Sequence, residues 1–292
     1  MQELVSIIVP TYNRSHLIGE AIQSVIDQSY ENWELIIVDD GSTDDTRKRV
    51  EEFKDDRIRY YFIEHSGIIG NVRNVGLRYV RGDYIAFLDS DDIWLPNKLD
   101  YQLSLLKKYP HTSFVFGHGE HFGKEATPTP ELEKLFVGNV FLPFLFEERF
   151  IFYMPTFLFQ KEVLNKVTTL DESLIYTDDV DFFLRIAYPF EGIFSNAIIA
   201  RIRKQEKSHS QSNELDAYDE YLVMLEKHLH EGRLTSKQFA QLASIHHYKL
   251  GLIYFANRES KRASKEFRNH IQLNPLGWKG WIRLVQSFFI SE

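Results

Sequence analysis

Three short polar stretches carry residue types suited to a phosphorylated, ring-bearing ligand. Asp89-Ser90-Asp91-Asp92 sets three carboxylates within four residues. Such a group repels itself unless a cation or hydrogen bonds neutralise it. Oxygen-only donors suit Mg2+ or Mn2+, with diphosphate oxygens and water completing the shell. A cation there would offset charge building on a departing diphosphate. Asp39-Asp40-Gly41-Ser42 is a second cluster, able to accept from a uracil N–H or from ribose hydroxyls. Thr11-Tyr12-Asn13-Arg14 adds a ring to stack on a base and a guanidinium fork for phosphate. Each stretch also has a plainer reading as turn and helix-cap chemistry.

Two further positions join these. Arg73 follows a Gly67/Gly70 loop and could meet a base or a phosphate, although a lone Gly-x-x-Gly is not a dinucleotide fingerprint. Asp178-Asp179 opens a helix whose Val180, Phe182, Phe183 and Ile186 are apolar. A carboxylate at such a helix start can take a proton from an attacking hydroxyl, while the helix dipole alone also favours acids there.

The elements that would position these residues read as strand–helix alternation. Val5–Val9, Leu35–Val38, Ile58–Ile63 and Tyr84–Leu88 are strand-like runs. Between them stand a helix capped by Ser15 with Leu17, Ile18, Ala21, Ile22, Val25 and Ile26 in one stripe, a helix through Phe53 opened by a Ser42-x-x-Asp45 capping box, and a loop and helix over Gly67–Val80. This predicts an α/β fold, a mostly parallel sheet flanked by helices, with the polar stretches meeting in a crevice outside the strand ends. Residues 107–203 are mixed. They offer strand-like pieces at Ser113–Gly117, Thr156–Gln160 and Ile193–Ile202 and one helix, Asp178–Ala187. His118 and His121 fall in a loop-like stretch, and Val140–Phe159 reads as aromatic lining or core.

From residue 213 the pattern is helical. The domain reading is therefore 1–212 and 213–292, with a tetratricopeptide-like helix pair near 245–274 that cannot bury its face alone. Trp278–Ile290 reads either as a packed helix or as one lying on a membrane surface. His228, His230, His246 and His247 read as packing or surface residues.

Composition narrows the class. The net charge is −8, and residues 1–100, with 19 acids and 11 bases, hold all of it; this argues against a nucleic-acid groove there. An acidic domain that handles a phosphorylated ligand needs a cation as mediator. There is no cysteine, so disulfides and thiolate metal sites are excluded. The opening MQELVSIIVPTYNR predicts no secretory leader, and no run of about 18 apolar residues predicts a spanning helix. These features favour a cytoplasmic location, with placement at the inner membrane face as the second option.

Taken together, IIVPTYNR, ELIIVDDGSTDDT, VRNVGLRYVRGDYIAFLDSDDIWLP and TLDESLIYTDDVDFFLRI resemble the family-2 glycosyltransferases, inverting enzymes of GT-A (Rossmann-like) fold, over roughly residues 4–205. The resemblance implies a nucleotide-diphosphate sugar donor, a UDP-sugar first, and a saccharide or lipid-linked hydroxyl acceptor in cell-surface polysaccharide or glycolipid synthesis. It implies that Pro10, Thr11 and Tyr12 cradle the base, with Asp40 pairing to it, Asp39 supporting, and Arg14 and Arg73 in the nucleotide pocket. Asp89 and Ser90 would lie near the ribose and metal, Asp91 would ligate Mn2+ or Mg2+, and Asp179 would be the general base. The chain departs from the family at Asp178, usually Glu, at Thr169-Leu170, and at Arg201-Ile202-Arg203, where many members carry Arg-x-His; His209-Ser210 comes later, with its place in that pattern left open. Two other readings stay open: a catalytically silent sugar-nucleotide-binding module, and a haloacid-dehalogenase-type phosphohydrolase suggested by AFLDSDD.

Overall fold

A computed structural model describes residues 2–123, 134–147, 150–204 and 214–288. The chain divides into two compact units, residues 1–208 and 209–292. The 212/213 boundary and His209 lie outside the described residues.

Among the described residues the first unit is built on a nine-stranded sheet of order β3-β2-β1-β4-β8-β6-β9-β5, with β7 paired to β9. Its parallel half consists of β1 (Val5–Thr11), β2 (Trp33–Asp39), β3 (Ile58–Phe62) and β4 (Tyr84–Phe87). Every residue of β1 and β2 is buried, as expected of strands covered on both faces. Alternation assigns the faces. Val5, Ile7 and Val9 share a core with Ile18, Ala21, Ile22 and Val25 of α1 (Ile18–Ile26) and with Leu99 and Leu103 of α4 (Lys98–Lys108). Ile8 points the other way, toward α3 (Ile69–Leu77). There a Cβ on Gly76 would lie 2.5 Å from Ile8 Cγ2, so the helix approaches as closely as glycine permits. Phe87, paired with Ile8, meets Phe182 of α6 (Asp178–Ala187) edge-on at 6.3 Å. α3 and α6 therefore cover the same sheet face.

The other half is mixed. β8 (Leu158–Gln160) runs antiparallel to both β4 and β6 (Phe114–Gly123), β6 is parallel to β9 (Gly192–Lys204), and β5 (Ile93–Trp94) and β7 (Phe136–Gly138) run antiparallel to β9. Val140–Phe159 resolves as core rather than a span. It holds α5 (Phe141–Phe146), buried Met154, Phe157 and Phe159, and half-buried Phe144 and Phe152 in the described part. Phe183 of α6 stands among Phe114, Phe116, Phe144, Phe152 and Phe157, with ring centroids 4.5–5.8 Å away.

Three local expectations change. Ser15 does not cap α1: its N–H donates to Asp44 Oδ2, and the helix starts at Ile18 after an uncapped Leu17. Ser42 and Asp45 form no capping box for α2 (Thr46–Glu51), because Ser42 Oγ accepts from Asn13 N instead. His118 and His121 lie on β6, where His118 is buried against Phe194 and His121 Nε2 lies 3.1 Å from the Tyr153 hydroxyl.

The second unit contains α7 (Glu214–His230), α8 (Ser236–Ala256), α9 (Ser260–Leu273) and α10 (Trp278–Ser287). Thr235 and Gln238 form a reciprocal capping box at α8. Leu250, Tyr254, Ala263 and Phe267 make the α8–α9 core. His246 lies 5.1 Å from both the Tyr218 and Tyr221 rings, and burial lowers its pKa to about 4. Among the described residues no helix is long and apolar enough to cross a membrane.

Because Phe183 anchors α6 in the aromatic cluster, Phe183→Ala should lower the unfolding free energy by about 3–5 kcal/mol in chemical denaturation. A loss under about 1 kcal/mol would show that this cluster does not hold the helix.

Candidate active site

The turn after β1 is fastened to the turn after β2. Asn13 adopts φ 51°, a left-handed conformation that its short amide tolerates. Its Oδ1 accepts from Thr43 N at 2.8 Å, and Ser42 Oγ accepts from Asn13 N. Arg14 N donates to Thr46 Oγ1. Despite partial burial, hydrogen bonds from Thr46 and Ser15 bring Asp44 down to about 2. Asp39 is fully buried and serves the turn: Oδ1 accepts from Ser42 N at 2.7 Å and Oδ2 from the Tyr60 hydroxyl at 2.5 Å. Pro10 and Thr11 end β1, and Thr11 O accepts from Asp40 N at 2.9 Å.

Asp40 reaches forward to the loop before α3. Its Oδ1 accepts from Ser66 N and Ser66 Oγ at 2.8 and 2.9 Å, its Oδ2 accepts from Gly67 N at 2.9 Å, and His65 Nδ1 lies 2.9 Å from the same Oδ2. The same Nδ1 lies 2.8 Å from Asp40 O, so it faces the main chain as well as the carboxylate. His65 in turn stacks on Tyr12, with ring centroids 4.1 Å apart and planes 16° apart. Tyr12 keeps 41% of its surface exposed, so the pair presents an open aromatic face at the rim.

Arg73, on α3, is 3% exposed. Nη1 donates to Asp178 Oδ2 at 3.0 Å and Nη2 to Asp89 Oδ1 at 2.9 Å. Burial works against its charge, but Asp89, Asp178 and Asp179 outweigh that and hold the guanidinium protonated. The neighbouring Asn74 clamps the chain ahead of α6: Nδ2 donates to Leu170 O and Glu172 Oε1, and Oδ1 accepts from Leu170 N. Thr169 O accepts from Arg185, which also pairs with Asp181 at 2.7 Å.

The loop after β4 gathers Asp89, Ser90, Asp91 and Asp92. Burial and the Asp89 charge raise Asp91, with Arg14 and Arg203 opposing. Asp92 is raised further by burial, Asp89 and Asp91. Arg203, on β9, ties this loop down: its N–H donates to Asp92 Oδ1 and its Nε to Asp91 O, both at 2.8 Å. At the start of α6 the two acids differ. Asp178 is buried on Arg73, and burial, with Asp179 adding, sets it at about 7 against the pull of Arg73. Asp179 is partly exposed, bonds Val180 N through Oδ1, and is raised by burial against Arg73.

The structure thus brings the sequence-identified residues to one rim, formed by the ends of β1, β2 and β4 and the starts of α3 and α6. Pro10, Thr11, Asp39, Asp40, Ser90 and Arg73 are buried there, while Tyr12, Arg14, Asp89, Asp91 and Asp179 keep exposed surface. His65 and Arg203 are the residues that the sequence did not single out. The one signal for Arg203 was its place in the Arg201-Ile202-Arg203 departure. Asp89 and Asp91 offer hard oxygen donors, and their mutual repulsion is what a divalent cation relieves, so the residues fit Mg2+ or Mn2+. Among the described residues no three His, Asp or Glu side chains form a ready-made cage, so ligand oxygens and water would have to complete the shell.

Arg73→Ala would strand Asp178 beside Asp179 and Asp89. We expect it to cost about 3–5 kcal/mol of stability in denaturant unfolding, partly recovered by adding Asp178→Asn. An unchanged midpoint would remove Arg73 as the tie.

Comparison with known proteins follows from this geometry. The sequence matches Glycosyl transferase family 2 over residues 6–168. It is 49% identical over 117 residues to UDP-Glc:alpha-D-GlcNAc-diphosphoundecaprenol beta-1,3-glucosyltransferase WfgD of Escherichia coli, covering 40% of this chain and 46% of that protein. The matched stretch is thus under half of WfgD's length. TarS 1–349 of S. aureus in complex with UDP-GlcNAc aligns with a TM-score of 0.72 at 20% identity, over 97% of this chain and 89% of that one. Mannosyltransferase PcManGT from Pyrobaculum calidifontis, in complex with GDP-Man and Mn2+, aligns with a TM-score of 0.60 at 15% identity, over 100% and 89%. These two likenesses concern the fold. The family match stops at Thr168, short of α6, and Arg73 joins α6 to the matched portion. With its match spanning every element from β1 through the acidic loop to β8, this chain belongs to glycosyl transferase family 2.

Proposed function

We propose that this chain is an inverting glycosyltransferase that moves a sugar from a nucleotide-diphosphate donor, a UDP-sugar first, to a hydroxyl acceptor in cell-surface polysaccharide or glycolipid assembly. The observation that carries this reading is the buried Arg73 bridge, which holds the metal-suited acids and the base-suited acids within one electrostatic neighbourhood. WfgD's name specifies a UDP-sugar donor and a lipid-linked acceptor, and TarS was captured with UDP-GlcNAc; both support the donor and acceptor classes.

In this reading Pro10, Thr11 and Tyr12 cradle the nucleobase, with the Tyr12–His65 face as its platform. Asp40 shapes the wall by gripping Ser66 and Gly67 and, in this reading, pairs to the base. Asp39 fixes the turn. Arg14 faces phosphate, and Ser90 and Asp89 face the ribose. Asp91, with Asp89, would hold Mn2+ or Mg2+; when bound, the ion offsets charge building on the leaving diphosphate.

Asp179 is the general base. It is the exposed member of its pair, whereas Asp178 is committed to Arg73. Asp179 takes the proton of the acceptor hydroxyl. The oxygen then bonds the anomeric carbon from the face opposite the leaving group, and the bond to the diphosphate oxygen breaks. The nucleoside diphosphate departs with that electron pair, and configuration inverts.

The test separates binding from transfer. UDP with Mn2+ should raise the melting temperature of wild type and of Asp179→Asn, but not of Asp91→Asn nor of wild type in EDTA. Transfer should fall by about 10^3-fold in Asp179→Asn, the middle of the range for general-base loss. Full turnover in EDTA would remove the metal, and full turnover in Asp179→Asn would remove the base.

The pH dependence gives a second test. Raised carboxyl pKa values mean that the base becomes protonated, and inactive, at a higher pH than an ordinary aspartate, so the acidic limb of kcat/KM should lie above the usual aspartate range. The pair titrates together. Asp178→Asn removes a like charge, so the acidic limb should move down by about one pH unit. An unmoved limb would show that Asp178 does not tune the base.

A further inference from the structure

The last helix carries a surface that the transfer chemistry leaves unused. α10 lies against α9 through its small residues. A Cβ on Gly280 would fall 2.3 Å from His270 Cδ2, Ser287 Oγ is 2.7 Å from Ser264 Oγ, and Ser260 Oγ donates to Ser287 O. Leu284 joins the α8–α9 core. At about 100° per residue, Gly280, Leu284 and Ser287 share one arc. Trp278, Trp281, Ile282, Val285 and Phe288 fall on the opposite arc and are 46–63% exposed; Leu276, in the preceding turn, is 93% exposed. Scattered apolar residues on a surface are ordinary, but six within so short a stretch form a patch of the kind that marks an interaction site.

The edge of that patch is basic. Lys279 and Arg283 lie on the arc between the packed and exposed faces, and the sequence from Leu276 to Phe288 holds no Asp or Glu. Lys279 Nζ lies 5.9 Å from the Trp278 ring centroid, and the Arg268 guanidinium 5.8 Å from that of Phe288. Tryptophans bordered by cations on a short, strongly two-sided helix match an interfacial lipid anchor. A second copy seated on the same face would set like charges against each other.

We propose that the exposed arc of α10 seats the protein on an anionic lipid surface. Trp278, Trp281, Ile282, Val285 and Phe288 enter the interfacial layer, and Lys279 and Arg283 meet headgroup phosphates. This goes beyond the transferase reading and does not depend on it.

The experiment uses the full chain with vesicles of phosphatidylcholine alone or mixed with phosphatidylglycerol, read by co-sedimentation and by the tryptophan emission maximum. Binding with a blue shift is expected on the mixed vesicles, weakened by salt, and little on phosphatidylcholine. Ile282→Glu and Val285→Glu, both at exposed positions, should each cut partitioning by about tenfold or more. Lys279→Glu combined with Arg283→Glu should abolish the preference for anionic lipid. Folding is checked by unchanged circular dichroism, and transfer to a water-soluble acceptor should be unaffected. Failure of wild type to sediment with mixed vesicles would overturn the proposal. So would a dimer that Val285→Glu dissociates while vesicle binding stays absent.

Discussion

One buried guanidinium ties the candidate site together. Arg73 reaches two carboxylates that are far apart in the chain and brings their segments to one place. Without it, Asp89, Asp178 and Asp179 would face one another in a water-poor setting, and burial and repulsion would force protons onto them. With it, Asp178 stays poised near neutrality and Asp179 keeps a surface open to ligand. The bridge depends on α3 and α6 lying on the same sheet face. That in turn depends on Gly76 letting α3 settle onto Ile8 and on Phe182 meeting Phe87.

The rest of the rim repeats this economy. Asp39, Asp40 and Asp44 spend their oxygens on backbone N–H groups of neighbouring turns, so acidic residues here build the rim as well as charge it. Arg203 does the same for the acidic loop from the far side of the sheet. A pocket walled this way is preorganised: its polar groups are aimed before any ligand arrives.

Much of this was legible from residue order, and the reasons are physical. β1 and β2 each centre on a continuous apolar run rich in β-branched residues, Ile7–Val9 and Leu35–Val38, as suits a strand buried on both faces, and the helix at Asp178–Ala187 shows its period in Val180, Phe183 and Ile186. The meeting of Thr11–Arg14, Asp39–Ser42 and Asp89–Asp92 follows from their position after parallel strands. Residues 107–203 were harder. β7 and β8 are three residues long and β5 is two, too short for a period to register, and their directions alternate. The expected caps do not form because Ser15 and Ser42 pair with Asp44 and Asn13 across the loop rather than at their own helices. The partnership of Arg73 with Asp178 spans 105 positions, and no local pattern announces it. His65 stands alone in sequence and gains meaning only beside Tyr12 and Asp40.

The seam between β4 and β8, where the sheet changes from parallel to antiparallel, divides labour along the chain. Arg73 and Asn74, from the parallel half, hold α6 and the turn ahead of it by polar ties, while described residues from β6 through β8 hold α6 through aromatic rings around Phe183. That stretch can therefore change its outer surface over evolutionary time so long as the rings around Phe183 keep α6 in place. The architecture fixes polar geometry in one half and leaves only the outside of the other free to diversify.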